Sequence, residues 1–163
     1  MVEQLLELLG EGDFHHHYDE SDPFAQLMSQ LRAAPDEIAQ PEDPVLLRLL
    51  PNAYADPEAA ADFRRYTEPT LRGNKQRTLR QVREALTEMV DLEEAGMVED
   101  LDSEIWLMAI NDLRLALSVR LEIGESSFET FESLPDSDPQ KSIYAVYYWL
   151  GWLQENLLEL LTQ

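Results

Sequence analysis

The chain has 163 residues, is 44% hydrophobic, contains no cysteine and carries a formal charge of -21. That size and composition predict one domain over residues 1–163 with a real core, not a globally disordered chain. The missing thiols exclude disulfides, thiol catalysis, thiol redox sensing and cysteine-ligated zinc, and the charge opposes nonspecific attraction to nucleic acid or anionic lipid.

Residues 1–9 place Val2, Leu5, Leu6 and Leu9 at helical spacing, and Gly10 and Gly12 end that helix. Residues 10–22 read as an acidic loop. Its consecutive His15, His16 and His17 cannot share one helical face, so they make a poor rigid metal site and no metal is expected. Asp-Pro pairs at 22–23, 43–44, 56–57 and 138–139 predict helix starts. The Asp carboxylate accepts orphan backbone N–H groups, and Pro fits the first helical position. Helices follow over 23–34, with Phe24, Leu27, Met28 and Leu31 on one face, over 44–50, stopped by Pro51, and over 57–66. Thr67-Glu68-Pro69 then predicts a restart into a longer helix reaching about residue 95, capped by Gly96. Its expected interior face is Leu71, Leu79, Val82, Leu86, Met89 and Val90.

A central helix is predicted from Asp102-Ser103 to Gly124. Trp106, Ala109, Ile110, Leu113, Leu117 and Leu121 form one apolar face. Ile105, Met108, Leu115 and Val119 form a second, with Asp112 in its middle, and Glu104, Asn111, Arg114, Ser118 and Glu122 line the third side. Residues 125–138 read as a second acidic loop whose Phe128 and Phe131 tuck against the body. The last helix, 139–162, repeats Ile143, Val146, Leu150, Leu153, Leu157 and Leu160 in a heptad pattern. No strand pattern occurs. The fold class is all-α, a helical bundle of three long helices with shorter helices packed around it.

Three groups of residues stand out. Asn111, Asp112 and Arg114 are polar groups on the central helix. A carboxylate on an apolar face is costly unless paired, so a structural polar core is the preferred reading, Asp112 pairing with an arginine of the 71–95 helix or with Arg120. Residues 64–83 hold seven of the twelve basic residues against Glu68 alone, a local balance of +6. Within this island Arg72, Lys75, Arg77, Arg80 and Arg83 are candidate partner-binding residues, and Arg80 can pair with Glu84 one turn on. The total charge and the lack of a helix-turn-helix pattern make strong direct DNA binding unexpected and a protein partner the better fit. Tyr144, Tyr147, Tyr148, Trp149 and Trp152 crowd the final helix. Trp149, Trp152, Leu158 and Leu161 are its candidate dimer face, making a homodimer credible.

No Gly-rich phosphate loop, nucleophile elbow or HExxH motif occurs, so a non-enzymatic protein without cofactor is expected. No apolar run could span a bilayer and the first residues lack a basic signal-peptide region, so the expected location is cytoplasmic.

The segments DPVLLRLLPNAYADPEAAADFRRYTE at 43–68, LRGNKQRTL at 71–79 and WLMAINDLRLALSVRL at 106–121 resemble an actinobacterial family of proteins of unknown function that includes the oxidative-stress transcription regulator AosR. Asn111-Asp112-Leu113-Arg114 and the LLPNAY at 49–54 carry most of the specificity. The resemblance implies a cytoplasmic helical protein that regulates transcription in the stress response together with a sigma factor of RNA polymerase. It also implies a cysteine pair that this chain lacks, so thiol sensing does not carry over. Relatives are expected to begin with an additional stretch ahead of the first helix. A helical homodimer with a structural or assembly role is the alternative reading.

Overall fold

The computed structural model describes residues 1–10, 38–91 and 103–162, so the predicted loop at 11–22, its histidines, the helix at 23–34 and the cap at Gly96 lie outside the described residues. Six helices are described: α1 (Val2–Gly10), α2 (Pro44–Leu49), α3 (Pro57–Asp91), α4 (Ser103–Arg120), α5 (Ser127–Ser133) and α6 (Pro139–Leu161). No strand occurs among the described residues. The fold is all-α. Three long helices, α3, α4 and α6, carry the bundle and the short ones pack around them. Within it α4 is the meeting point, in contact with α6, α2, α3 and α1.

The Asp-Pro logic holds at all three described sites. Asp43 accepts from Val45 N at 2.7 Å, Asp56 from Ala59 N at 2.9 Å and Asp138 from Gln140 N at 2.8 Å. Asp43 also pairs with Arg120 Nη2 at 3.1 Å, tying the start of α2 to the end of α4. The core collects Leu5 and Leu9 of α1, Val45, Leu46 and Leu49 of α2, Leu79 and Val82 of α3, Ala109, Ile110, Leu113 and Leu117 of α4, and Leu150 of α6. Leu9 and Leu79 are fully enclosed. Burying such a side chain contributes roughly 1.5–3 kcal/mol.

Four expectations need correction. The chain does not restart at Thr67: α3 runs unbroken through Pro69. Proline gives no N–H to the carbonyl one turn back, but Glu68 beside it bridges the gap, meeting Arg64 at 3.7 Å and Arg72 at 2.7 Å. Leu71 and Leu86 are exposed, not interior. The buried stripe of α3 runs Ala60, Arg64, Glu68, Arg72, Gln76, Leu79, Val82, which leaves Leu71 off to one side. Arg83 meets Glu3 at the start of α1, so Leu86 lies past the stretch that α1 covers.

The central helix ends at Arg120, ahead of Gly124. Glu122 takes the left-handed conformation (φ 52°), Ile123 N donates to Ser118 O and Glu122 N to Val119 O. That pair of bonds is a Schellman cap built on a non-glycine residue. Finally, the stretch 125–138 is not all loop but contains α5. Phe131 rests on the rings of Tyr144 and Tyr148 at 6.3 and 5.3 Å, whereas Phe128 touches Tyr148 edge-on and stays exposed. On the remaining faces Met108, Ile143 and Leu160 are also exposed.

Candidate functional site

The basic island divides in two. Arg64 and Arg72 are buried on α3 with Glu68 between them. Arg72 Nη1 donates to Leu9 O at 2.9 Å and Gln76 Nε2 donates to the same oxygen at 3.0 Å. These side chains thus satisfy an orphan carbonyl in the last turn of α1, where a cation is also favoured by the helix dipole. Arg64 donates to Ile38 O at 3.2 Å and to Asn52 Oδ1. Lys75 turns to α4 and pairs with buried Asp112 at 2.7 Å. Asp112 therefore finds its partner on α3, but it is a lysine rather than an arginine, and Arg120 is engaged elsewhere.

Arg77, Arg80 and Arg83 of the island stay outside. Arg77 bonds Asn74 at 3.2 Å, Arg83 reaches Glu3 at 3.4 Å, and Arg80 is exposed and makes no pair with Glu84 among the described residues. The sequence reading missed the buried ladder because it counted charges along the chain. The signal was present in the spacing: Arg64, Glu68, Arg72 and Gln76 recur every four residues, which is one helical face.

Of the polar group on α4, Asn111 is exposed and Asp112 buried. Arg114 reaches toward α6 instead, so the three do not form one cluster. Its Nη1 donates to Gln154 Oε1 at 2.5 Å, and its guanidinium lies 5.3 Å from the ring centre of Tyr147. Gly151 makes this approach possible: a Cβ there would stand 3.3 Å from Arg114 Nη2. Beside the arginine opens a cleft of about 390 Å³ between the 123–125 turn, Phe128 of α5, and Tyr147, Tyr148, Trp152 and Glu155 of α6. Burial pushes the Tyr148 phenol above its ordinary pKa, because the apolar wall disfavours the phenolate, and the neighbouring Tyr147 and Tyr144 add to this.

Trp149, Trp152, Leu158 and Leu161 are all exposed, at 55%, 58%, 48% and 49%. They occupy two strips of α6. Trp149 and Trp152 share the outer face with Leu160, whereas Leu161 is in register with buried Leu150 three turns earlier. A second hollow, about 620 Å³, lies between α1, α2, α4 and α6 and is walled by Leu5, Leu8, Val45, Leu117, Ile143 and Val146. It accounts for the exposure of Ile143 in the heptad seam. Among the described residues no three His, Asp or Glu side chains converge as metal ligands, and no helix is long and apolar enough to cross a membrane.

This architecture accompanies a clear family match: the model of a domain of unknown function (DUF2017) matches residues 1–161. The chain belongs to this family. Oxidative stress regulator AosR of Mycobacterium tuberculosis (strain ATCC 25618 / H37Rv) is 33% identical over 156 residues, covering 86% of this chain and 68% of that protein. The AosR protein of Mycobacterium bovis (strain ATCC BAA-935 / AF2122/97) gives the same values. A Mycobacterium leprae (strain TN) relative carrying the AosR name is 33% identical over 175 residues, covering 97% of this chain and 74% of that protein. No solved structure gives a significant match. The family is shared with proteins named as regulators, and this chain contains no cysteine.

Proposed function

We propose that this DUF2017 member is a non-enzymatic regulatory module that works by protein contact, its partner being a sigma factor or RNA polymerase. The observation that carries this reading is the outer face of α6, where Trp149 and Trp152 stand more than half exposed. Tryptophan is the residue type most enriched at binding hot spots, and two on adjacent turns form a ready anchor. The names of the mycobacterial relatives support regulation as the setting. The charge of -21 supports a protein partner over bare DNA.

The test is affinity capture with the wild-type chain and with Trp149→Ala/Trp152→Ala, probing directly for RNA polymerase and sigma subunits. Recovery by the wild type and loss by the double variant is expected. Equal recovery by both would move the contact off α6. Leu158 and Leu161, exposed beyond the buried part of the seam, favour a second reading, a homodimer with an assembly role. A monomeric mass by light scattering at micromolar concentration removes it.

A further inference from the structure

Arg114 has no direct ion pair among the described residues. Arg64 and Arg72 share Glu68, and Lys75 has Asp112. No carboxylate among the described residues pairs with Arg114, whose only hydrogen-bond acceptor is the neutral Gln154 amide. Its Nε is buried and has no acceptor at all. A half-buried guanidinium held this way leaves one buried donor, Nε, unsatisfied. An arginine free to swing into water would do so. Here the ring of Tyr147 and the bare Cα of Gly151 hold it against the cleft.

The cleft's other walls narrow the ligand class. Phe128, Tyr148 and Trp152 offer aromatic surface, while Glu125 and Glu155 line the same space. A simple carboxylate would satisfy Arg114 but meet two glutamates in a chain of charge -21. A simple amine would suit the glutamates but be repelled by the arginine. A molecule bearing both charges satisfies both. We propose that this cleft binds a small apolar amino acid, its carboxylate on Arg114, its ammonium toward Glu125 and Glu155, and its side chain against the aromatic wall. A volume of about 390 Å³ falls within the usual range for small-molecule sites, roughly 300–1,000 Å³. The module thereby gains an effector site next to Trp152, independent of which protein it contacts.

The experiment is titration of the full chain with L-phenylalanine, L-leucine and L-methionine, read by tryptophan fluorescence at wavelengths these ligands do not absorb. Phenylpropionate and phenethylamine serve as the singly charged controls for phenylalanine. Saturable binding of at least one amino acid is expected, with both controls at least ~10-fold weaker, the worth of one charge-assisted hydrogen bond. Arg114→Leu is the decisive variant. It strands no buried carboxylate, so the fold survives, while the ligand carboxylate loses its guanidinium and binding falls. Arg80→Gln, on the far surface of α3, leaves binding unchanged. Failure of all three amino acids to bind overturns the proposal. So does equal affinity for phenylpropionate, or equal affinity of the wild type and Arg114→Leu.

Discussion

Two arginine sites in this molecule obey opposite rules. Around Glu68, three helical turns of α3 close on themselves: Arg64 and Arg72 share one carboxylate and spend further donors on the carbonyls of Ile38 and Leu9. Around Arg114, one cation faces an amide, a ring and an open cleft. The first site gives both cations the same carboxylate, leaving one net positive charge, with Arg72 Nε and Glu68 Oε2 lacking hydrogen-bond partners. The second is held in place yet left with capacity. The difference separates a charge that builds the fold from one available to a ligand, although both sit on long helices and both read simply as arginine in the sequence.

The sharpest way to break this contrast is Glu68→Ala. It strands two buried guanidinium groups, and removing one member of a buried ion pair costs about 3–5 kcal/mol. Thermal unfolding by circular dichroism is expected to fall on the order of 10 °C. A loss of only a degree or two would mean that the ladder is not what secures α3. Next comes Lys75→Met, which leaves the Asp112 carboxylate buried without its partner, at about 1–3 kcal/mol. The double variant Lys75→Met/Asp112→Leu is expected to recover part of that loss, and a double-mutant cycle measures the coupling. Arg114→Leu tests the other side of the comparison. It forfeits a cation–π contact of about 0.5–1 kcal/mol and frees no buried carboxylate, so the melting temperature is expected to move little. Arg77→Gln and Arg80→Gln on the exposed side of α3 are expected within about 0.5 kcal/mol of wild type.

The smallest effect is a pH dependence. With its folded pKa raised by burial, Tyr148 stays neutral in the native state where the unfolded phenol, near 10.0, already ionises. Its contribution to stability is therefore full below pH 10 and is lost as pH rises through the folded value. Denaturant unfolding across that interval is expected to show a shallower decline in Tyr148→Phe than in wild type.

The helices were legible because their signals are local. Asp43, Asp56 and Asp138 each cap where the Asp-Pro rule places them, since a carboxylate two or three residues from an orphan N–H requires no knowledge of the rest of the chain. Pro69 misled for the same reason. Its penalty is local, whereas the compensation comes from Glu68 reaching a full turn in both directions. Gly124 misled because a turn-compatible glycine stood two residues beyond Glu122, which adopts the left-handed conformation itself. Of the candidate sites, the sequence could show that Asp112 needed a partner but not that Lys75 would supply it. It grouped Arg72 and Lys75 with Arg77 and Arg80, and only the packing of α1 and α4 on α3 separates them. The cleft at Arg114 rests on a glycine, an amide and a turn from distant parts of the chain, so no periodicity announces it.

One consequence of the buried ladder concerns inheritance. Arg72 and Gln76 grip the main chain at Leu9, and Arg64 grips it at Ile38. A peptide oxygen is the same atom whatever side chain it accompanies. Mutation at those two grip points cannot remove the acceptor, whereas mutation of the donors always removes the bond. Across descendants of this fold the tolerance should therefore be lopsided, with the acceptor positions drifting among apolar residues while Arg64, Glu68 and Arg72 change together or not at all.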